Sequence, residues 1–369
     1  MMKTDVVIVG GGLAGLNAAR LLQAAGINFL LFEARPILGG RIQTVNEAGQ
    51  PAVDGFDLGP SWFWPRMQPA IANLIAALGL PTFAQNNEGD VVFERMSREL
   101  AKRYPGLIQE PEAFRLVGGS ATLVRAIAER LPDERVQRGA RVLEMRLTNV
   151  GVELIVQLSN GQDQKVQALH VIAALPPRIL EATVRFEPAP PPANVQLWQQ
   201  TPTWMAPHAK FFAVYDRAFW REAGFSGTAQ SMVGPLAEIH DATTSSGQPA
   251  LFGFVGLGAE QRRSVGETAL TEACVQQFAR LFGAQAANPR ATLLKDWAAD
   301  PLTATLADWF SAGHPHAQDA GWVAEPWKEH LILAGSETSP IEAGYLSGAV
   351  EASAAAVTNL IHKFTPSQN

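Results

Sequence analysis

The chain has 369 residues, 47% hydrophobic and 17% charged, and 29 Lys and Arg against 35 Asp and Glu give it a formal net charge of −6. That composition excludes a disordered or fibrous chain and suits about two domains, while a mildly acidic balance excludes nucleic acid or anionic lipid held by bulk charge. The single cysteine, Cys274, excludes an intrachain disulfide and a cysteine-rich zinc site.

One cysteine fits a reducing compartment, and a cytoplasmic location is expected. No apolar run of about 18 residues is present, so no membrane span is expected. Lys3 ahead of Val6-Val7-Ile8-Val9 imitates the start of a secretory signal. Asp5 and the glycines at 10, 11, 12 and 15 fit a strand-to-helix turn better.

Residues 5–9 read as a buried parallel strand. Gly10 to Gly15 turn the chain, and residues 13–25 carry helical apolar spacing that Gly26 stops. Residues 27–32 form a second apolar strand ending at Glu33, completing a βαβ unit. Alternation over 142–147, 152–158 and 165–169, with turns at 148–151 and 159–161, predicts a small antiparallel meander. A further apolar strand follows at 171–175. The proline-rich stretch 188–192 is expected to be a stiff domain crossing. Residues 193–327 are irregular and rich in Trp. Residues 331–334 read as a strand and 344–360 as a helix.

Gly10-Gly11-Gly12-Leu13-Ala14-Gly15 satisfies G-x-G-x-x-G between a strand and a helix. The first glycine allows the turn, the second lets a diphosphate approach the backbone, and the third permits close helix–strand packing. The helix N-terminus offers free N–H groups to the phosphates. Glu33, 18 residues after Gly15, is placed to accept hydrogen bonds from ribose hydroxyls and would repel a 2′-phosphate. The motif alone does not separate NAD from FAD. A second glycine pair with a nearby cation follows in Glu33-Ala34-Arg35-Pro36-Ile37-Leu38-Gly39-Gly40-Arg41. That stretch reads either as a second phosphate or flavin contact or as a surface turn.

Here the chain resembles the flavin monoamine oxidase family, over nearly its whole length. Glu33 to Arg41 with Ile42-Gln43-Thr44 resembles the family's second FAD signature, and Gly59-Pro60-Ser61-Trp62 its segment beside the flavin ring. Gly118-Gly119-Ser120 resembles its Gly-Gly helix, Val142 a position whose backbone meets adenine, and Lys210 its strand lysine. Trp297 to Pro301 resembles its Trp-x-x-Asp-Pro stretch. Gly335, Glu337, Gly344, Tyr345 and Leu346 fall in its C-terminal FAD motif.

The resemblance implies an α/β fold: a Rossmann-like FAD-binding domain from 1–65, 115–187 and 328–369, interleaved with an α+β substrate domain from 66–114 and 188–327. It implies FAD as cofactor and hydride transfer from the α-carbon of an amine to flavin N5. Imine hydrolysis and reoxidation by O2, giving H2O2, would follow. Lys210 would hold a water at N5 and help O2 react; the alternative is an edge-strand lysine reaching solvent. Tyr345 would belong to an aromatic cage around the amine. Glu337 would bond in the ribityl–phosphate region or cap the helix approach.

The chain also departs from the family. Where a second cage aromatic is expected stand Leu306-Ala307, so the cage is half-built or Trp309 replaces it. No cysteine stands there either, which predicts non-covalent FAD. Only about 50 residues separate Trp64 from Gly118, fewer than typical members have, which predicts a more open site. His314-Pro315-His316 reads as a loop and no metal is expected; Ser226 and Ser231 lie in no G-x-S-x-G context. The expected partners are an amine with an apolar or aromatic group and O2. The same fold is also compatible with a desaturase or dehydrogenase using another acceptor, or with a non-catalytic flavin-binding protein.

Overall fold

The computed structural model describes residues 1–106, 111–310, 313–318 and 320–364. Two sheets organise the chain. In the larger, eight-stranded sheet, Met2–Val9 lies between Phe29–Glu33 and Asp163–Ala173, parallel to both. Val6 and Ile8 point into one apolar cluster, with helices Leu13–Ala24, Ala121–Ala128 and Leu346–Phe364. Val7 and Val9 point into another, with Met145, Leu154, Trp198 and Trp327. A strand covered on both faces has no polar alternation, which is why residues 5–9 read as one continuous apolar run.

The stretches 165–169 and 171–175, expected as separate strands, are continuous: one strand runs Asp163–Ala173, and Ala174 and Leu175 follow its end. Its first half pairs antiparallel with Gly151–Leu158; parallel pairing with Met2–Val9 and Leu331–Leu333 keeps it extended through its end. The pattern changes mid-strand because the strand passes from a half-covered meander into the doubly covered part of the sheet. The C-terminal helix begins at Leu346 rather than 344, because Gly344 is left-handed at φ +80.

At the proline-rich stretch the chain turns directly into helix Pro192–Gln200, with Pro192 in its first turn. Trp198 of that helix packs 5.7 Å from Phe186, which lies edge-on to Trp327 at 5.1 Å. Helix Pro69–Ala77 buries Ile71, Leu74 and Ile75 in the cluster that holds Val357 and Leu360. Both segments, expected with the substrate domain, therefore pack in the two apolar clusters of the larger sheet.

The seven-stranded sheet runs in the order Ala291–Asp296, Ala209–Val214, Ala250–Val255, Leu236–Asp241, Phe225–Ser231, Asp90–Glu94 and Lys102–Tyr104. Helix Glu267–Phe282 backs it, burying Cys274 and Phe278. Ala209–Val214 is paired on both sides and wholly buried, so Lys210 is not on an edge. Among the described residues, no helix is long and apolar enough to cross a membrane.

Candidate cofactor and active site

At the end of Met2–Val9 the backbone turns through Gly10 at φ +104, and the Gly10 amide donates to the Phe32 carbonyl at 2.8 Å. A Cβ on Gly15 would lie 1.9 Å from the Gly10 carbonyl oxygen, so the helix is as close to the turn as backbone allows. Gly12 differs. A Cβ there would meet nothing nearer than the Gly39 carbonyl oxygen at 3.9 Å and would project into a cavity that Gly12 lines. The second glycine pair runs alongside: the Gly39 amide donates to Gly11 at 2.8 Å, and Gly39 and Gly40 both have positive φ. The first helical turn beyond carries no acidic side chain and no side-chain cap. Bare backbone and unsatisfied N–H groups at a helix N-terminus suit a diphosphate.

The Glu33 carboxylate is buried beside this floor. It accepts the Gly11 amide at 2.6 Å and the Arg35 amide at 2.7 Å. Burial raises its pKa, opposed by those two hydrogen bonds and by the Arg35 charge. The cavity runs from Glu33, Ala34, Arg35 and Val142 past Ala14, Gly40 and Arg41 to Gly59, Pro60, Ser61, Trp62, Lys210, Trp297, Gly335, Gly344, Tyr345 and Leu346.

Of the residues expected to bind the cofactor, Gly15 and Glu337 do not line this cavity. Gly15 is sealed by packing. Glu337 has no exposed surface and lies behind Arg41, whose Nη1 donates to its Oε1 at 2.6 Å. Arg41 also donates to the Ser336 hydroxyl and the Trp204 carbonyl. Glu337 thus fixes the cation at the cavity wall instead of reaching into it. At the other end, Asp300 holds the Arg35 guanidinium through two bonds of 2.9 and 3.1 Å.

Lys210 is buried, with its Nζ donating to the Gly59 carbonyl at 2.6 Å, the Ser61 hydroxyl at 3.0 Å and the Asp57 carbonyl at 3.2 Å. Its ammonium also lies 4.7 Å from the centre of the Phe252 ring. Burial pulls its pKa down to about 7, against the opposing Asp57 charge. Trp297 donates its indole N–H to the Leu58 carbonyl at 3.0 Å. Two side chains from the smaller sheet and its continuation therefore hold the 57–61 backbone at the cavity wall.

Tyr345 faces Trp204 with ring centroids 6.2 Å apart, and both line the cavity with Trp62, Trp64 and Phe254. His314 closes the group at 4.2 Å from Trp204 and 4.7 Å from Tyr345. Trp309 is not the second aromatic: its indole N–H bonds to the Ala298 carbonyl and it does not line the cavity. Leu306 is exposed to solvent. Trp204 was not legible as a site residue. Tryptophan enrichment over 193–327 was the one signal, and it did not distinguish Trp204 from the core residues Trp198 and Trp220. The residue after it, Met205, has φ 65, the one positive value at a non-glycine position among the described residues.

A model of the family described as "Flavin containing amine oxidoreductase" matches residues 13–113 and 95–361. The chain is 28% identical over 453 residues to a Mycobacterium tuberculosis protein named as a flavin-containing monoamine oxidase, AofH, covering 94% of each chain. It is 25% identical over 460 residues to the flavin-containing amine oxidase A of Sus scrofa, covering 97% of this chain and 85% of that one. Both spans exceed the chain's 369 residues, so both relatives carry insertions that it lacks. An L-amino acid dehydrogenase of Synechocystis is 29% identical over 265 residues, covering 69% of this chain and 53% of that one. Among solved structures, cyclohexylamine oxidase from Brevibacterium oxydans superposes with TM-score 0.79 at 20% identity, covering 98% of this chain and 99% of that one. Wild-type putrescine oxidase bound to putrescine superposes with TM-score 0.76 at 21% identity and the same coverage.

Proposed function

We infer the reaction from one premise: the chain belongs to the flavin containing amine oxidoreductase family and is an FAD-dependent enzyme. We propose that it oxidises an amine bearing an apolar group at its α-carbon and passes the electrons to O2. The balance is one amine, one O2 and one water giving a carbonyl compound, ammonia or the released amine, and H2O2. The observation that carries the reading is the single cavity joining the Gly12–Gly40 floor to Lys210 and the Trp204–Tyr345 pair.

FAD, when bound, supplies the two-electron acceptor. The amides after Gly12 would hold its diphosphate, and Glu33 would accept hydrogen bonds from a ribose. Cys274, the chain's one cysteine, lies in the smaller sheet's core, which supports a cofactor that would be held without a thioether. Trp204, Tyr345 and Phe254 would orient an apolar amine and exclude water from it. Lys210 would anchor the 57–61 backbone and place a cationic or neutral amine nitrogen near reacting O2. The L-amino acid dehydrogenase among the relatives supports a second reading, the same chemistry with a different acceptor.

The test is a panel of amines added to the yellow protein without oxygen, followed by air. The proposal expects loss of the visible flavin absorbance, its return in air, and one H2O2 per cycle. Bleaching that air does not reverse, but a quinone or dye does, would favour the second reading.

A further inference from the structure

A lysine ammonium has three hydrogens to donate, and the Lys210 Nζ makes three bonds, to the Gly59 carbonyl, the Ser61 hydroxyl and the Asp57 carbonyl. No N–H is left to point into the cavity. Of the three acceptors, only Ser61 carries a hydrogen of its own. Its Oγ lies 3.0 Å from Nζ. The residue is half-buried and lines the cavity, and among the described residues its hydroxyl hydrogen meets no acceptor. The segment that carries it is closely packed. A Cβ on Gly59 would lie 1.8 Å from the Arg41 carbonyl oxygen, and the Leu58 carbonyl is tied to the Trp297 indole.

The Lys210–Ser61 bond has two arrangements. While Lys210 is protonated it donates to Oγ, and the hydroxyl hydrogen is turned to the cavity. Once Lys210 is neutral, its lone pair accepts that hydrogen and Oγ offers only lone pairs. With burial lowering its pKa to about 7, both forms exist near neutral pH; Asp57 favours the ammonium and Arg115 opposes it. The other charged groups on the strands beside it are engaged elsewhere. Lys295, opposite it in register, bonds to Asp300, and Asp296 to Arg262. On Leu236–Asp241, Glu238 pairs with His240, which stacks on Phe252, and Asp241 pairs with Arg221.

We propose that Ser61 relays a proton from Lys210 to O2 as it is reduced in this cavity. The proposal rests on the oxidase reading and assigns the proton path within it. The Ser61 O–H bond breaks as an O–H bond forms on the hydroperoxide anion, and a Lys210 N–H proton replaces it on Oγ. The reduced cofactor supplies the two electrons and the other proton of H2O2. Hydrolysis of the iminium product releases the proton that restores the ammonium.

The test starts from FAD-loaded protein reduced by light without oxygen, so that no substrate is needed, and mixes it rapidly with oxygenated buffer. In the wild type, flavin absorbance should return faster than for free reduced FAD, and more slowly as pH rises through about 7. Ser61→Ala should slow that return about a hundredfold and flatten its pH dependence. Ser61→Thr, which keeps the hydroxyl, should restore both. Ser61→Ala combined with Lys210→Met should be no slower than Lys210→Met alone, because the two residues act as one unit. A separate readout is NMR of protein carrying isotope-labelled lysine, the Lys210 signal being the one lost in Lys210→Met. Ser61→Ala should lower its titration midpoint by about one pH unit, since the ammonium loses an acceptor. A fast wild type unaltered by Ser61→Ala, additive effects in the double variant, or an unmoved Lys210 midpoint would overturn the relay alone. A wild type no faster than free reduced FAD would overturn the oxidase reading, and the relay with it.

Discussion

The Lys210 ammonium nitrogen lies 2.6 Å from the Gly59 carbonyl oxygen, 151 residues away in sequence. That bond ties a central strand of the smaller sheet to the segment lining the candidate cofactor cavity. It also buries an ammonium whose bonds reach only neutral oxygens.

The burial has a pH signature. Folded Lys210 has its pKa lowered to about 7, whereas an unfolded lysine titrates near ~10.4. Between those values the unfolded chain holds a proton that the folded chain lacks, so this group makes the fold more stable as pH rises through that window. Below it, both forms are protonated and the burial cost is felt in full. Relative to Lys210→Met, the wild-type protein should gain up to about 1.4 kcal/mol per pH unit between about pH 7 and 10. Denaturant titrations at several pH values measure it, and parallel curves would contradict it.

The same substitution separates the two acceptor readings. Under the oxidase reading, Lys210→Met slows the return of flavin absorbance on admitting air by about a hundredfold, the scale of losing one charge-stabilising donor. A dehydrogenase would show little change with its own acceptor.

Gly12 and Gly15 should fail in different ways. Gly12→Ala is allowed by its backbone, at φ −75, and places a methyl group in the cavity. It should weaken FAD binding by about tenfold or more while the apo-protein melts near the wild-type temperature. Gly15→Ala would set a Cβ 1.9 Å from the Gly10 carbonyl oxygen and should cost about 3 kcal/mol of stability. Melting curves with and without added FAD distinguish them.

Glu337→Gln removes the charge facing Arg41 but keeps its shape. A broken buried pair costs about 3 kcal/mol. Because Glu337 does not line the cavity, the account expects the loss in thermal stability and in the rigidity of Arg41. FAD affinity should fall as a consequence, and addition of excess FAD should restore turnover but not the melting temperature of the apo-protein.

Trp204→Ala should raise KM for apolar amines about tenfold, reflecting the loss of a large ring from the cavity wall. Trp309→Ala should leave KM unchanged. The reverse outcome would return Trp309 to the role once open to it.

The βαβ unit was readable because its strands are buried on both faces and its glycines have local steric reasons, seen at Gly10 and Gly15. Lys210 stood out because a cation in an apolar strand demands partners, although sequence could not say whether its strand was central. Trp204 stayed hidden because its placement depends on long-range bonds: its backbone meets Arg41 and Glu337, 163 and 133 residues away. The motif match expects Glu337 at the cofactor, and only the fold shows that Arg41 takes up its carboxylate. The stretch 188–192 reads as a linker although helix Pro192–Gln200 starts at its end, because a proline cluster looks alike as a linker and as a helix start.

The account rests on an amine losing hydride from its α-carbon within this cavity. Rapid anaerobic mixing of the FAD-loaded protein with an amine and with its α-deuterated form tests that step alone. The account predicts loss of flavin absorbance in both, slower with deuterium. Bleaching at equal rates would contradict rate-limiting cleavage of that bond, and no bleaching by any amine would contradict the function itself.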